Sequence, residues 1–148
     1  MEVGQMKIGD YDFPDDLYYE KNHFWAKDDG DGNIIIGASD FFQQLAGEIV
    51  YIELPMVGTK VEQGKSFSSL ESGKWVGKVF APVSGEIIEV NEELEDSPEL
   101  INESPYDEGW IGKIKPSGLD PELSNLMKIG PEFEKFIDEE SKKHSKED

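Results

Sequence analysis

The sequence predicts a mainly β fold of short antiparallel strands, with short flanking helices and C-terminal helices packed on the sheet. Three observations carry this. Short apolar and aromatic runs recur between turns rich in glycine, proline and aspartate. The stretch Glu71–Glu86 reads as strand, tight turn, strand, and a second turn at Ala81–Gly85. Helical apolar spacing is confined to residues 40–45 and to the chain beyond Asp120.

Taken in order, residues 1–16 mix Gly, Asp and Pro without periodicity and predict an irregular arm, leaving residues 17–140 as the folded domain. Leu17–Tyr19 and Phe24–Ala26 have strand-like aromatic content. Asp28–Asn33 is a turn in which Gly30 and Gly32 allow the reversal. It superficially resembles a calcium loop but lacks that loop's spacing and terminal glutamate. Ile34–Ile36 forms a short buried strand ending at Gly37. Asp40 with Gln43 reads as a capping box that starts a helix through Leu45, stopped by Gly47. Ile49–Leu54 is a strand closed by Pro55, and Gly58 and Gly64 bracket Thr59–Gln63. Phe67–Glu71 leads into the hairpin, where Gly73 supplies a positive φ for a two-residue turn and Lys74 stands at the tip. Glu86–Val90 and Trp110–Lys115 are strands on either side of an acidic, turn-rich segment with one helical turn at Pro98–Ile101. Asp120-Pro121 reads as an N-cap followed by a first-turn proline, with Leu123, Leu126 and Met127 on one face. Pro131 starts a second short helix carrying Phe133, Phe136 and Ile137, and residues 141–148 form a disordered charged tail.

Composition excludes several function classes. The 148 residues are one domain's worth, and eight Phe, five Tyr and three Trp can fill its core without disulfides. There is no cysteine, hence no thiolate metal site and no means of trapping a dithiol by exchange. The start of the chain has no apolar run, which points to a cytoplasmic protein with no membrane partner. The net charge of −19, with no arginine in the sequence, would repel nucleic acid and favours a soluble monomer. Val57–Gly85 departs from this balance, with Lys60, Lys65, Lys74 and Lys78 against Glu62 and Glu71. No Ser-His-Asp, metal-ligand or phosphate-loop constellation stands out, so neither a catalytic residue nor a metal site is predicted.

The hairpin's sequence identifies its relatives. Glu71-Ser72-Gly73-Lys74 followed by Ala81-Pro82-Val83-Ser84-Gly85-Glu86 resembles the lipoyl-lysine hairpin of the glycine cleavage system H protein family. His23-Phe24-Trp25 is similar to that family's His-Glu-Trp, and Ser39-Asp40-Phe41 to its Thr-Asp-aromatic. The blocks Gly47–Pro55, Glu86–Asn91, Leu100–Tyr106 and Gly109–Pro116 extend the likeness over roughly residues 18–137. The resemblance implies a flattened β-barrel or sandwich of the biotinyl/lipoyl-carrier type, and a carrier rather than an enzyme. Its cofactor would be lipoate in amide linkage to Lys74, a flexible arm reaching on the order of 14 Å from the backbone. Such an arm presents a bound intermediate to successive enzymes at high effective concentration. Glu71 matches an acidic residue used by the lipoyl-attaching enzyme, and Gly58 and Gly85 match the family's turn glycines. Gly73 and Trp75 argue against biotin, whose carriers flank the lysine with methionines. Lys78 is the competing lysine, four residues further along. Trp75 is a candidate partner contact, since exposed tryptophans are frequent anchors at interfaces.

Two positions depart from the family. Its cargo cleft carries carboxylates in His-Glu-Trp and four residues after the modified lysine, where this chain has Phe24 and Lys78. With Asn22 and His23 these form the predicted cargo cleft. A unit-charge contact at ~4 Å and an effective dielectric near 20 is on the order of 4 kcal/mol before screening. Both changes therefore point away from a cationic aminomethyl cargo. They favour the branch of relatives that carries sulfur for a heterodisulfide-reductase-like sulfur-oxidation system. The alternative is an ordinary aminomethyl carrier serving the glycine cleavage enzymes. A third is a non-carrying binding module or lipoyl-relay platform.

Overall fold

The computed structural model describes residues 5–9, 11–73 and 75–145. The chain opens with a hairpin of β1 (Gln5–Ile8) and β2 (Tyr11–Pro14), which corrects the predicted irregular arm. Gly9, at φ +61, makes the reversal. Its anchors are aromatic: Phe13 meets Tyr19 and Phe133 edge-on at 5.5 and 4.8 Å, and Tyr11 meets Phe41 at 4.7 Å.

Next come β3 (Tyr18–Tyr19), β4 (Phe24–Asp28) and β5 (Ile34–Ala38), then helix α1 (Asp40–Ala46) and β6 (Ile49–Ile52). The turn between β4 and β5 is the predicted one, with Gly30 and Gly32 at φ 89 and 88. Gly37 does not end its strand. It lies inside β5 because the Trp25 indole crosses it, leaving 2.5 Å between a hypothetical Cβ and the ring. The Trp25 Nε1–H donates to the carbonyls of Ala38 and Pro105. The N-cap of α1 is Ser39 rather than Asp40: its Oγ accepts the Phe42 N–H at 3.2 Å. The Asp40 carboxylate is occupied elsewhere, accepting the Asp12 N–H of β2 and the side-chain amides of Gln43 and Gln44. Gly47, at φ 81, ends α1 as predicted.

The remaining strands are β7 (Lys60–Val61), β8 (Ser66–Ser72), β9 (Val76–Phe80) and β10 (Gly85–Val90). Two single-turn helices, α2 (Glu93–Asp96) and α3 (Leu100–Glu103), precede β11 (Gly112–Pro116). The second sheet runs β3-β4-β5-β11-β10-β7 and the third runs β6-β8-β9, all in antiparallel pairs. These last two sheets close on one apolar core. Phe24 and Ala38 come from one side, and Ile52, Leu70 and Val79 from the other. This is the predicted sandwich of antiparallel sheets with short helices.

The C-terminal part needs two corrections. Helix α4 (Leu119–Leu123) begins before the predicted Asp120-Pro121 cap, with Gly118 as its N-cap. It ends before Leu126 and Met127, which join different apolar clusters, and Met127 instead exchanges backbone hydrogen bonds with Tyr19. Helix α5 (Pro131–Ser145) is longer than predicted and takes in residues assigned to a disordered tail. Phe133 and Ile137 bury against the N-terminal hairpin's cluster, and Lys142 pairs with Asp138 one turn back at 3.2 Å.

Candidate functional site

The β8–β9 hairpin sets the site's geometry. Its ladder pairs Ser69 with Lys78, Leu70 with Gly77, and Glu71 with Val76. The Ser72 N–H donates to the Trp75 carbonyl at 2.8 Å, so two residues, 73 and 74, connect the strands. Lys74 lies outside the described residues, and its predicted place at the tip is therefore carried only by these neighbours. Gly73 does not have the positive φ predicted for it, and a Cβ added there would meet nothing within 4 Å. Beyond its chain neighbours, the space around Gly73 is open.

Alternation sorts the rest of the hairpin between two faces. Leu70, Ser72, Gly77 and Val79 are buried in the sandwich. Trp75 joins that side: its indole lies over Gly77, where an added Cβ would come within 1.8 Å of the ring. The indole meets Phe42 edge-on at 5.6 Å and keeps 42% of its surface exposed. Phe42 in turn touches Phe24 at 4.9 Å, and Phe24 lies 6.4 Å from Phe80. An aromatic row thus runs from the hairpin's end into the core.

The four residues predicted to line a cargo cleft do not converge. Phe24 is 1% exposed inside the sandwich, where a glutamate would bury a carboxylate among aromatic rings. Lys78 alternates to the opposite, exposed face of β9, beside Ser69. His23 turns away from both. It adopts φ 78, its ring sits against Phe41 and Phe136, and its Nε2 lies 2.9 Å from a Glu140 carboxylate oxygen on α5. Asn22 donates its N–H and its Nδ2–H to the Glu20 carboxylate, at 2.7 and 2.5 Å. Glu20 is buried, which raises its pKa, and the Asn22 bonds partly oppose that shift.

The three residues matched to attachment recognition also separate. Glu71 is exposed one residue before Ser72, close to the connection. Gly85 opens β10, beyond the far end of the β8–β9 ladder, about 20 Å from the tip at the rise of a strand. Its lack of a side chain has a local cause, since a Cβ would fall 2.1 Å from the Lys115 carbonyl oxygen. Gly58, at φ 98, donates its N–H to Ile87 of the same strand. The Ala81–Gly85 turn is tied down as well. The Ser84 N–H and hydroxyl both donate to the Glu122 carboxylate of α4, at 2.7 and 2.5 Å.

One group escaped the sequence. Val50, Tyr51 and Val76 are 52, 52 and 68% exposed on the outer face of β6-β8-β9. The sequence marks Ile49–Leu54 only as a strand closed by Pro55, without assigning its faces. A β-bulge between Ile49 and Tyr51 turns two consecutive apolar side chains outward.

Residues 17–140 match the family described as glycine cleavage H-protein. A probable glycine cleavage system H protein of Thermococcus gammatolerans is 52% identical over 122 residues, covering 82% of this chain and 90% of its own length. The glycine cleavage system H protein of Vibrio atlanticus is 48% identical over 124 residues, covering 84 and 97%. The crystal structure of a glycine cleavage system H protein from Mycobacterium marinum matches with a TM-score of 0.74 at 28% identity, covering 87% of this chain and 99% of that one.

Proposed function

The chain belongs to the glycine cleavage H-protein family, and on that premise we propose that it is the aminomethyl carrier of glycine cleavage, loaded through Lys74. The family's members are carriers, not enzymes, and their cofactor is a covalent lipoyl-lysine. The observation that carries the pathway is the half-identity to relatives named for glycine cleavage, across a match that includes the whole hairpin. None of the relatives compared above is named for sulfur oxidation, so the sulfur-carrier reading is set aside. Its physical ground has also gone. Phe24 lies in the core and Lys78 on the opposite face of β9, so the two do not place a wrong charge in one cleft.

The residues around the connection suit the group. The Ser72–Trp75 bond closes the hairpin, the space about Gly73 is open, and Glu71 stands exposed beside it. When attached, lipoate supplies a dithiol/disulfide pair that takes up and hands on the cargo. The chain's part is to hold the arm's root on a rigid ladder, while Trp75 braced on Phe42 gives the arm an aromatic wall at its base. The lipoyl-attaching enzyme and the glycine cleavage enzymes are its partners, met in the cytoplasm.

The test has two stages. A lipoyl ligase with lipoate adds one lipoyl mass, and Lys74→Ala abolishes the addition while the far-ultraviolet circular dichroism stays unchanged. The lipoylated protein then supports exchange of the glycine carboxyl carbon by glycine decarboxylase, and the Lys74→Ala protein does not. Modification mapping to Lys78 would sink the site. Full lipoylation without exchange would sink the pathway.

A further inference from the structure

We infer that the outer face of the β6-β8-β9 sheet, where Val50, Tyr51 and Val76 flank Glu71, is the docking surface for the lipoyl-attaching enzyme. The inference rests on Lys74 being the attachment site. Among the described residues the exposed large apolar side chains are Val50, Tyr51, Met56, Val57, Trp75 and Val76. Three of these six, Val50, Tyr51 and Val76, lie in strands of the sheet that carries the hairpin. Tyr51, Glu71 and Val76 are paired across its three strands in one row, the first row of the ladder behind the closing residues Ser72 and Trp75. The bulge adds Val50 to the same outward side, and Glu53 and Lys78 give the patch a charged rim. The exposed Glu71 carboxylate stands in the middle of that row, so the face presents apolar side chains on both flanks of one charge.

Reach decides which partner covers it. Strands are about 4.8 Å apart, so the row from Tyr51 to Val76 spans about 10 Å and ends two residues from Lys74. An enzyme acting on the cargo works at the end of an arm on the order of 14 Å long and can do so without touching the strands. An enzyme acylating the lysine has only the lysine's own length, about 6 Å, between its reacting centre and the backbone. Its walls must therefore rest on whatever borders the connection. The inner side of the hairpin rests on Phe42 and the sandwich core, leaving part of Trp75 exposed. The outer face offers the larger apolar contact, through Val50, Tyr51 and Val76.

The experiment uses the full unmodified chain, lipoyl ligase, lipoate and ATP, with the double variant Tyr51→Thr/Val76→Thr. Threonine keeps the strand propensity and removes the apolar surface. The concentration of carrier at half-maximal rate should rise about ten-fold or more, with kcat within about two-fold, as expected for lost docking energy. Met56→Ser, outside the patch, should leave both unchanged. After prolonged ligation, the fully lipoylated double variant should match the parent in glycine decarboxylase exchange. An unchanged half-saturating concentration in ligation would overturn the docking face, and so would a defect confined to exchange. Sedimentation showing that a second copy covers the face would overturn it as well. If Lys74→Ala still takes up a lipoyl mass, the attachment site itself fails, an outcome distinct from these.

Discussion

Gly73 and Gly77 lie four residues apart on one hairpin and answer to different constraints. At Gly73 an added methyl meets nothing and the φ is not positive. Gly73→Ala should therefore change stability in urea by less than about 0.5 kcal/mol, or raise it slightly through the unfolded chain. At Gly77 the same methyl falls 1.8 Å from the Trp75 ring. Gly77→Ala must displace the indole from Phe42 and should cost about 1–3 kcal/mol. Equal effects at the two sites would contradict the geometry. The sequence makes Gly73 the turn glycine, because a glycine before a tip lysine suits a two-residue turn. It offers no sign that Gly77 makes room for Trp75, since that requires knowing which face of the sheet the indole takes. Phe24 shows the same gap. Its identity departs from the family pattern in plain view, but its burial beside Phe42 depends on a helix that follows β5.

At the level of elements, legibility followed locality. The β8–β9 hairpin, the Asp28–Asn33 turn and the stop of α1 at Gly47 depend on neighbouring residues, and each was readable. The N-terminal hairpin was not, because Tyr11 and Phe13 are held by Phe41 and by Phe133, far along the chain. The last turns of α5 carry charges rather than an apolar stripe, so they read as a tail although Lys142 and Asp138 support the helix. These two elements hold each other. Phe133 sits edge-on to Phe13 and stacks on Tyr19 at 4.7 Å, and Glu140 meets His23. Phe133→Ala should cost about 3–5 kcal/mol in urea unfolding, as large-to-small changes in a core do. Ligation at Lys74 should proceed at the parent rate below the transition, because the hairpin belongs to another sheet. A loss under about 1 kcal/mol would mean that α5 is not structural.

For the whole molecule, charge and one buried acid act on stability in the same direction. A net charge of −19 on 148 residues makes the folded state self-repelling, and lowering the pH from neutral reduces that charge. Glu20 adds a separate contribution. Burial raises its pKa above 4.5, so the folded protein takes up this proton before the unfolded chain does. Between the unfolded value and the raised one the native state holds more protons, and stability falls as pH rises through that window. Asp29 works the other way. Backbone N–H bonds from Asp31 and Asn33, together with the Lys113 ammonium, lower its pKa, so its contribution is lost only as pH falls further, through that lowered value. Stability should thus climb from pH 7 towards the mildly acidic range and fall again in stronger acid. Salt separates the two causes of the climb. At 1 M salt the Debye length is about 3 Å and surface repulsion is largely screened, whereas the cost of burying the Glu20 carboxylate persists. Urea midpoints measured against pH in 1 M salt should keep a residual slope in the parent protein and lose it in Glu20→Gln. A slope that vanishes with salt in the parent protein would assign the whole effect to net charge and leave Glu20 with no part in it.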